Sequence, residues 1–308
     1  MDFEELVIHS RKNMSFYHYI KSFINQLRHD IRFVMSIRRT FRNYWLIIIK
    51  VARNQYPITA NLKNGTELYF MNFHQLYSQL LGLTYDLSED TVTIDDNIFY
   101  DGVKNAENLH DIFIKGEYAF LEVDKKFVFD IGANIADSSI YFAKKGALKV
   151  IAMEPDQGNL KIAKKNIHAN KIESKIDLLS MGCGTDSNME DNAETKIVSL
   201  ETIIKAYPDK PMILKLDCEG CEYEAILNST PSVLKNFSQI QIEYHYGYKN
   251  LKSKLEEAGF TVRYTEPRYF QLRNRGENID HNLKFYDRIK RKDLKFYLGW
   301  IYASRHEI

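Results

Sequence analysis

Cysteines, long apolar runs and net charge are all scarce in this sequence, and each shortage excludes a class of protein. Three cysteines among 308 residues are too few and too clustered to staple a secreted fold, which favours a reducing compartment. The longest apolar run near the start, Tyr44 to Ile49, is far short of a membrane span, and no basic start precedes an apolar segment as in a secretory signal. With 44% hydrophobic and 27% charged residues, the chain is expected to be a folded, soluble, cytoplasmic protein.

The net charge of +1 conceals an uneven distribution. Ten Lys or Arg against four acids give residues 1–55 a charge of +6, and eleven against six give residues 263–308 a charge of +5, so the middle carries −10. Basic ends around an acidic centre could meet anionic lipid, glycan phosphate or nucleic acid, although solvated helix faces have the same composition. No nucleic-acid-binding module is recognisable, and no nucleic acid is expected as a partner.

The first segment, residues 1–56, is predicted to be a helical extension. Apolar side chains recur at three- and four-residue steps, the period of one helical stripe. They are Phe16, Ile20, Phe23, Leu27, Ile31 and Val34. We expect this amphipathic helix to pack on the protein's own body. The alternative is peripheral contact of residues 14–50 with an anionic membrane, because arginines lead into a second apolar stretch.

Residues 57–122 are predicted to form a small strand-rich lead-in. Alternating residues flank Asn64-Gly65, a strong two-residue hairpin signal, and a second extended pair is expected at 91–94 and 98–100. From residue 123 to 308 short apolar runs alternate with helical patterns, which is typical of βαβ units and a mainly parallel sheet. A polar, arginine-rich stretch, residues 266–295, is expected to be a surface loop before a closing strand.

A glycine turn after the first of these strands marks a cofactor site. The run from Asp130 through Gly132 and Asn134 to Asp137 joins a strand to a helix, where open α/β sheets bind ligands. Asp137 is expected to be the N-cap of that helix. Glu154 ends the next strand and could accept both ribose hydroxyls of an adenosine-containing cofactor.

What the turn lacks indicates which cofactor binds. A dinucleotide fingerprint needs a second glycine at position 134 for its pyrophosphate, and this chain has Asn134. S-adenosylmethionine has the adenosine without phosphate, and its carboxylate can use free amides at a helix start. The predicted cofactor is therefore S-adenosyl-L-methionine.

Three segments together resemble the FkbM family of S-adenosylmethionine-dependent methyltransferases. They are 128–137, 152–156 with Asn166, and 214–222. The resemblance covers about residues 120–262 and implies the class I methyltransferase (Rossmann-like) three-layer sandwich, with a seven-stranded, mainly parallel sheet. It also implies O-methylation of a sugar, glycan or small-metabolite hydroxyl. One departure is Ala136, where the family usually has glycine.

The candidate catalytic residues follow two further strands. Asp217 is expected to contact the cofactor or the acceptor hydroxyl, with Glu219 as the second choice. Gly220 would open the next helix, where Glu222 suits the positive first turn. His245 could take the acceptor proton, because an unperturbed imidazole titrates near neutral pH, although a structural role is equally expected of a histidine beside aromatics.

Cys218 and Cys221 form a C-x-x-C pattern, which is typical of a redox pair or half of a zinc site. A structural zinc site takes four ligands, and only Cys183 and a histidine remain to complete one. No metal is therefore predicted. The alternatives left open are a thiol or zinc protein and a non-catalytic module that binds an adenosine cofactor.

Overall fold

The protein divides into two compact units. The computed structural model describes residues 16–86, 88–186, 196–207, 210–270 and 296–305. One unit comprises residues 24–117 and 165–171, and the other comprises residues 1–23, 118–164 and 172–308. Helix α1 (Phe16–Thr40) and helix α6 (Gln157–Ala169) each contribute residues to both units.

The unit of residues 24–117 and 165–171 contains helices and short hairpins. After α1 its elements are α2 (Tyr44–Ala52), β1 (Ile58–Asn61), β2 (Glu67–Phe70), α3 (Phe73–Leu81), β3 (Thr84–Asp86), β4 (Thr91–Ile94), β5 (Asn97–Tyr100) and α4 (Ala106–Phe113). Both predicted hairpins are present, as the antiparallel pairs β1–β2 and β4–β5. The sequence reading missed α3, whose N-cap Asn72 accepts a hydrogen bond from the Gln75 amide and which ends at the left-handed Gly82.

A separate hydrophobic core holds the first part of this unit together. Its fully or nearly fully buried members come from α1, α2 and α3, from both strands of the first hairpin and from the residue after α1: Ile37, Phe41, Ile47, Ile58, Ala60, Phe70 and Leu76. The three described members of the predicted stripe of α1, Leu27, Ile31 and Val34, are exposed, while Ile37 is buried; the side chains of Phe16, Ile20 and Phe23 lie outside the described part. The expectation that this stripe packs on the protein itself is wrong for Leu27, Ile31 and Val34.

The other unit is built on one large sheet. Its strands are β6 (Phe127–Ile131), β7 (Lys149–Met153), β8 (Ile176–Leu179), β11 (Met212–Leu216), β12 (Phe237–Tyr244), β13 (Thr261–Tyr264) and β15 (Phe296–Ser304). Besides α6, its helices are α5 (Asp137–Lys144), α7 (Leu200–Lys205), α8 (Cys221–Leu227), α9 (Pro231–Leu234) and α10 (Lys249–Glu257). Short strands β9 (Met181–Cys183) and β10 (Lys196–Val198) pair in parallel, and β14 (Arg268–Phe270) pairs with β15.

The strand order confirms the predicted fold class. Along the sheet the order is β8, β7, β6, β11, β12, β15, β13, and β15 alone runs antiparallel to its neighbours. From β6 the chain winds outward to β7 and β8, and later from β11 to β12 in the opposite direction. Right-handed crossovers in opposite directions place helices on both faces of the sheet. The arrangement is the seven-stranded class I methyltransferase sandwich. The order in which strands are added to the sheet reverses between β6 and β11, and open α/β folds bind ligands at such a point.

The central strands read as continuous apolar runs because both faces of the sheet are covered. Strands β6, β7, β8 and β11 coincide with short apolar runs of the alternating pattern that predicts them. Most of the predicted surface loop, residues 271–295, lies outside the described residues. Within the described part of the chain, every helix is too short or too polar to cross a membrane.

Candidate active site

The turn after β6 contacts the end of β11 directly. Gly132 has a φ of +80°, and a Cβ there would overlap the carbonyl oxygen of Asp217. The glycine is therefore required by a neighbouring strand as well as by the turn itself. The amides of Gly132 and Ala133 both donate to the carbonyl of Met153, at 3.0 Å, which ties the turn to the end of β7 as well. Three strand ends thus meet at one place.

Two further residues of this turn have left-handed backbone. Asn134 has a φ of +48° and Ala136 a φ of +66°. Asparagine tolerates this conformation, whereas a Cβ costs about 1–2 kcal/mol for other residues. The left-handed Ala136 gives a physical reason for the glycine usual in the FkbM family.

Glu154 lies where the sequence analysis predicts an acid for the ribose. Its side chain is buried at the end of β7, and its two oxygens accept from the amides of Asn134 and Asp156, each at 2.9 Å. Burial raises the pKa of this carboxyl, although the two backbone hydrogen bonds oppose the shift. Each carboxylate oxygen has a second lone pair, so a fixed Glu154 can still accept from ribose hydroxyls.

Asp137 is the first residue of α5 rather than its N-cap. The N-cap is Ala136, which makes no side-chain capping bond, and the Asp137 carboxylate accepts from the amide of Ser138 at 2.9 Å. Burial raises the pKa of Asp137 from 3.8 to about 6. The prediction that Asp137 is the N-cap is wrong, because the left-handed Ala136 occupies that position and Asp137 is the first helical residue.

Asp130 faces the protein interior. Its side chain is fully buried, with Nζ of Lys215 at 3.0 Å from one oxygen. The hydroxyls of Ser138 and Ser139 donate to the other oxygen, at 2.7 and 2.5 Å. Lys215 also donates to the carbonyl of Gly132 at 2.8 Å. Asp130 therefore holds the glycine turn through Lys215 and the start of α5.

Lys215 is the partner that the sequence reading missed. Burial alone would lower its pKa, but the Asp130 and Asp217 carboxylates outweigh that effect and raise it. The lysine is thus charged. A single lysine inside the apolar strand 212–216 was the available signal, because a buried lysine needs an acidic partner.

Acids and one histidine cluster after β11 and β12. His245 is buried, its Nδ1 donates to the Glu222 carboxylate, and its Nε2 lies 3.4 Å from Glu219 and 3.9 Å from Asp217. Burial lowers the pKa of His245, but the nearby carboxylates, Glu222 foremost, raise it well above 6.5. The two predicted catalytic residues and the alternative Glu219 are therefore brought together.

The first turn of α8 orients this histidine. Glu222 is fully buried against the imidazole, and the hydroxyl of Tyr223 accepts from the amide of Tyr246 at 2.8 Å while donating to the carbonyl of Gly247 at 2.6 Å. The sequence reading placed Glu222 at the helix start for its charge and missed its hydrogen bond. No pattern along the chain links positions 222 and 245.

Glu243 adds another carboxylate. Burial and the neighbouring Asp217 raise its pKa well above the usual range. One ligand atom each from Asp217, Glu243 and His245 lies within 4.8 Å of the others, so these three side chains could hold a cation. The predicted site residues did not include Glu243.

The cysteines do not form a zinc site in the described part of the chain. Cys218 and Cys221 are joined by a disulfide, and Cys183 is a separate, buried thiol whose pKa burial raises to about 12. The group of potential metal ligands among the described residues contains no cysteine. Gly220, with a φ of +124°, is the N-cap of α8, as expected for a residue that opens this helix. The disulfide between Cys218 and Cys221 was not predicted.

Part of the chain matches a known protein family. Residues 130–262 match the methyltransferase FkbM domain family, which confirms the resemblance for that segment. The chain is 29% identical over 150 residues to an uncharacterised protein, 158B, of Sulfolobus islandicus rod-shaped virus 1, covering 47% of this chain and 77% of that protein.

Solved structures similar to the chain include two methyltransferases. A precorrin-6y C5,15-methyltransferase from Geobacter metallireducens GS-15 has 15% identity and a TM-score of 0.36, over 70% of this chain and 94% of that one. An O-methyltransferase from Bacillus cereus in complex with S-adenosylhomocysteine has 14% identity and a TM-score of 0.37, over 66% and 86%.

Proposed function

From the premise that residues 130–262 form an FkbM methyltransferase domain, we propose that the protein transfers a methyl group from S-adenosylmethionine to a hydroxyl. The observation that carries this is the meeting of two strand-end sites. The turn with Glu154 offers ribose acceptors, and it contacts Asp217, the first residue of the acid and histidine cluster. A cofactor held by the first site would present its reactive end toward the second.

The cofactor half of the proposal uses the residues predicted from the sequence. Glu154 accepts the ribose hydroxyls, and Asn134 and Gly132 shape the turn around the adenosine. Asp137 opens α5, whose first amides suit the carboxylate of the amino acid moiety. Asp130 acts indirectly, through Lys215 and the turn. When bound, the cofactor supplies an electrophilic methyl group on a sulfonium sulfur.

The acceptor half must align a hydroxyl and remove its proton. We assign the proton to Nε2 of His245, which Glu222 orients through Nδ1. The neutral imidazole would accept the proton of the acceptor hydroxyl as that oxygen becomes methylated. Asp217 and Glu219, both within 4 Å of this nitrogen, stabilise the imidazolium that results.

The charge of the cluster favours a neutral acceptor. Four carboxylate side chains surround one histidine: Asp217, Glu219, Glu222 and Glu243. Hydroxyl groups donate to carboxylates, whereas a phosphate or carboxylate acceptor would be repelled. A sugar, a glycan or a neutral small metabolite therefore fits better than a nucleic acid. The cytoplasmic location expected from composition stays a prediction.

Thermal stability in the presence of S-adenosylhomocysteine, NAD or zinc separates this function from the alternatives. We expect S-adenosylhomocysteine at a hundredfold excess over its Kd to stabilise the fold by about 2.7 kcal/mol, and NAD and zinc to have no effect. Stabilisation by zinc alone would favour the thiol or zinc reading. Binding of S-adenosylhomocysteine without methyl transfer to any hydroxyl compound would leave a non-catalytic module.

A further inference from the structure

The exposed face of α1 is unusually apolar. Among its described side chains, Leu27 is 50% exposed and Ile31 is 55% exposed, and Ile24, Val34 and Met35 are exposed as well. Single exposed apolar residues are ordinary, but five on one helix form a continuous surface. The opposite part of the helix already packs inward, because Ile37 is buried and Phe33 lies against the same core.

Helical geometry separates three faces of α1. At 100° per residue, and with Leu27 set at zero, the exposed apolar residues fall within about 60° on either side of a line near 20°. The buried Ile37 lies at about 280°. The exposed Arg28, Arg32 and Arg39 lie together between about 100° and 140°. The apolar strip, which includes the exposed Arg38 at about 20° near its C-terminal end, is bordered by this row of arginines on the side away from the core.

Helix α2 repeats this exposure. Trp45 is 65% exposed, and Leu46 and Ile49 are exposed, while Ile47 is buried in the core of the same unit. Arg53 follows the helix and is exposed. Exposed tryptophan and aliphatic residues next to arginine are the composition of helices that lie in a membrane interface.

We propose that α1 and α2 dock this protein on an anionic lipid surface. The apolar strip would enter the boundary between headgroups and acyl chains, and the arginine row would contact the anionic headgroups. A second copy of the chain suits the face less well, because a two-fold contact between antiparallel α1 helices would bring the two arginine rows together. The site goes beyond the proposed methyl transfer and does not depend on it.

Sedimentation of the full-length protein with vesicles tests the proposal. We expect binding to phosphatidylcholine vesicles that contain phosphatidylglycerol, much weaker binding to phosphatidylcholine alone, and release near 1 M salt, where the Debye length is about 3 Å. Only two tryptophans occur, and Trp300 is buried, so a blue shift of fluorescence on binding should come from Trp45. Trp45→Phe should remove the shift.

Matched variants separate the two parts of the surface. Replacing Arg28, Arg32 and Arg39 by Gln should weaken partitioning about 100-fold, since each basic residue contributes roughly fivefold. The control replaces three exposed lysines elsewhere in the same unit, Lys104, Lys115 and Lys171, by Gln and should change little.

A second pair probes the apolar strip. Leu27→Gln with Ile31→Gln should weaken partitioning by about tenfold or more, and Ile114→Gln, at a position 58% exposed, should leave it unchanged. Circular dichroism should show all variants folded, because every changed side chain is exposed. Absence of binding to anionic vesicles, equal binding to neutral ones, or concentration-dependent dimerisation that the Leu27 and Ile31 changes abolish would each overturn the proposal.

Discussion

Asp130 and the Asp217 that follows β11 are acids at adjacent strand ends with opposite surroundings. Asp130 is fully buried, with Lys215 ion-paired to one oxygen and the hydroxyls of Ser138 and Ser139 donating to the other. Asp217 is partly exposed and faces His245, which already donates to Glu222. The first acid forms an ion pair with Lys215 at 3.0 Å, and the second shares one imidazole with several carboxylates.

This difference teaches how to assign roles to strand-end acids. An acid with a complete set of buried partners fixes the backbone, here the glycine turn through Lys215 and the Gly132 carbonyl. An acid left among like charges has interaction capacity to spare for a ligand or a proton. Sequence position alone treats both as candidates for the cofactor site.

Breaking the buried ion pair of Lys215 and Asp130 should have the largest effect on stability. Lys215→Met leaves the Asp130 carboxylate buried without its cation, so we expect a loss of about 3–5 kcal/mol in the free energy of unfolding, measured by urea titration. Lys149→Met, which removes the more exposed pair with Asp177, should cost less than about 1 kcal/mol. Equal losses for both variants would contradict the distinction.

Removing the histidine from the other cluster should lower the rate. Because it also leaves the buried Glu222 without its partner, turnover is compared under conditions where urea titration shows the variant folded. His245→Ala should lower turnover by about 10² to 10⁴ with near-normal affinity for S-adenosylhomocysteine, and His168→Ala should leave the rate unchanged. Nearby carboxylates raise the pKa of His245 well above its ordinary value. The turnover of the unmutated enzyme should therefore rise with pH and level off once the imidazole is mostly neutral.

Two outcomes would reassign this cluster. Full turnover in His245→Ala would leave proximity or Asp217 as the source of the rate. Loss of turnover with a chelator and recovery with magnesium would make Asp217, Glu243 and His245 cation ligands instead.

Asp137 should make stability depend on pH at the start of α5. Burial gives it a pKa of about 6 in the folded protein against 3.8 in the unfolded chain, so only the folded state holds this proton between those values. The free energy of unfolding that the Asp137 proton contributes is fully present below about pH 4. It falls by up to about 3 kcal/mol as the pH rises to about 6. Urea titrations across this range should show a flatter profile for Asp137→Asn; identical profiles would remove the assignment.

Glu154→Ala sharpens the cofactor side of the comparison. The loss of hydrogen bonds to a charged group should weaken S-adenosylhomocysteine binding by about 1.5–3 kcal/mol, measured by titration calorimetry. Glu201→Ala, at an exposed position on α7, serves as the control and should not change the affinity. Unchanged affinity in Glu154→Ala would exclude this residue from the site.

The strands and the turn were predictable because their signals are local. An apolar run followed by glycine indicated β6 and its turn, and apolar runs followed by an acid indicated β7 and β11. The Glu222 partner of His245 was not predictable, since no local signal links the two positions, whereas the lysine inside the apolar run 212–216 did indicate an acidic partner. The prediction that the apolar stripe of α1 packs on the protein was wrong at the described positions for a related reason. A helical period of apolar residues indicates a helix but not which side of that helix meets the core.

Product analysis with an isotope-labelled methyl group on S-adenosylmethionine tests the central claim most directly. With neutral sugars and glycans as acceptors, the account predicts a labelled methyl ether and S-adenosylhomocysteine in equal amounts, with both lost in His245→Ala. Label on nitrogen, sulfur or carbon of the acceptor, or cofactor consumption without a methylated hydroxyl, would contradict it.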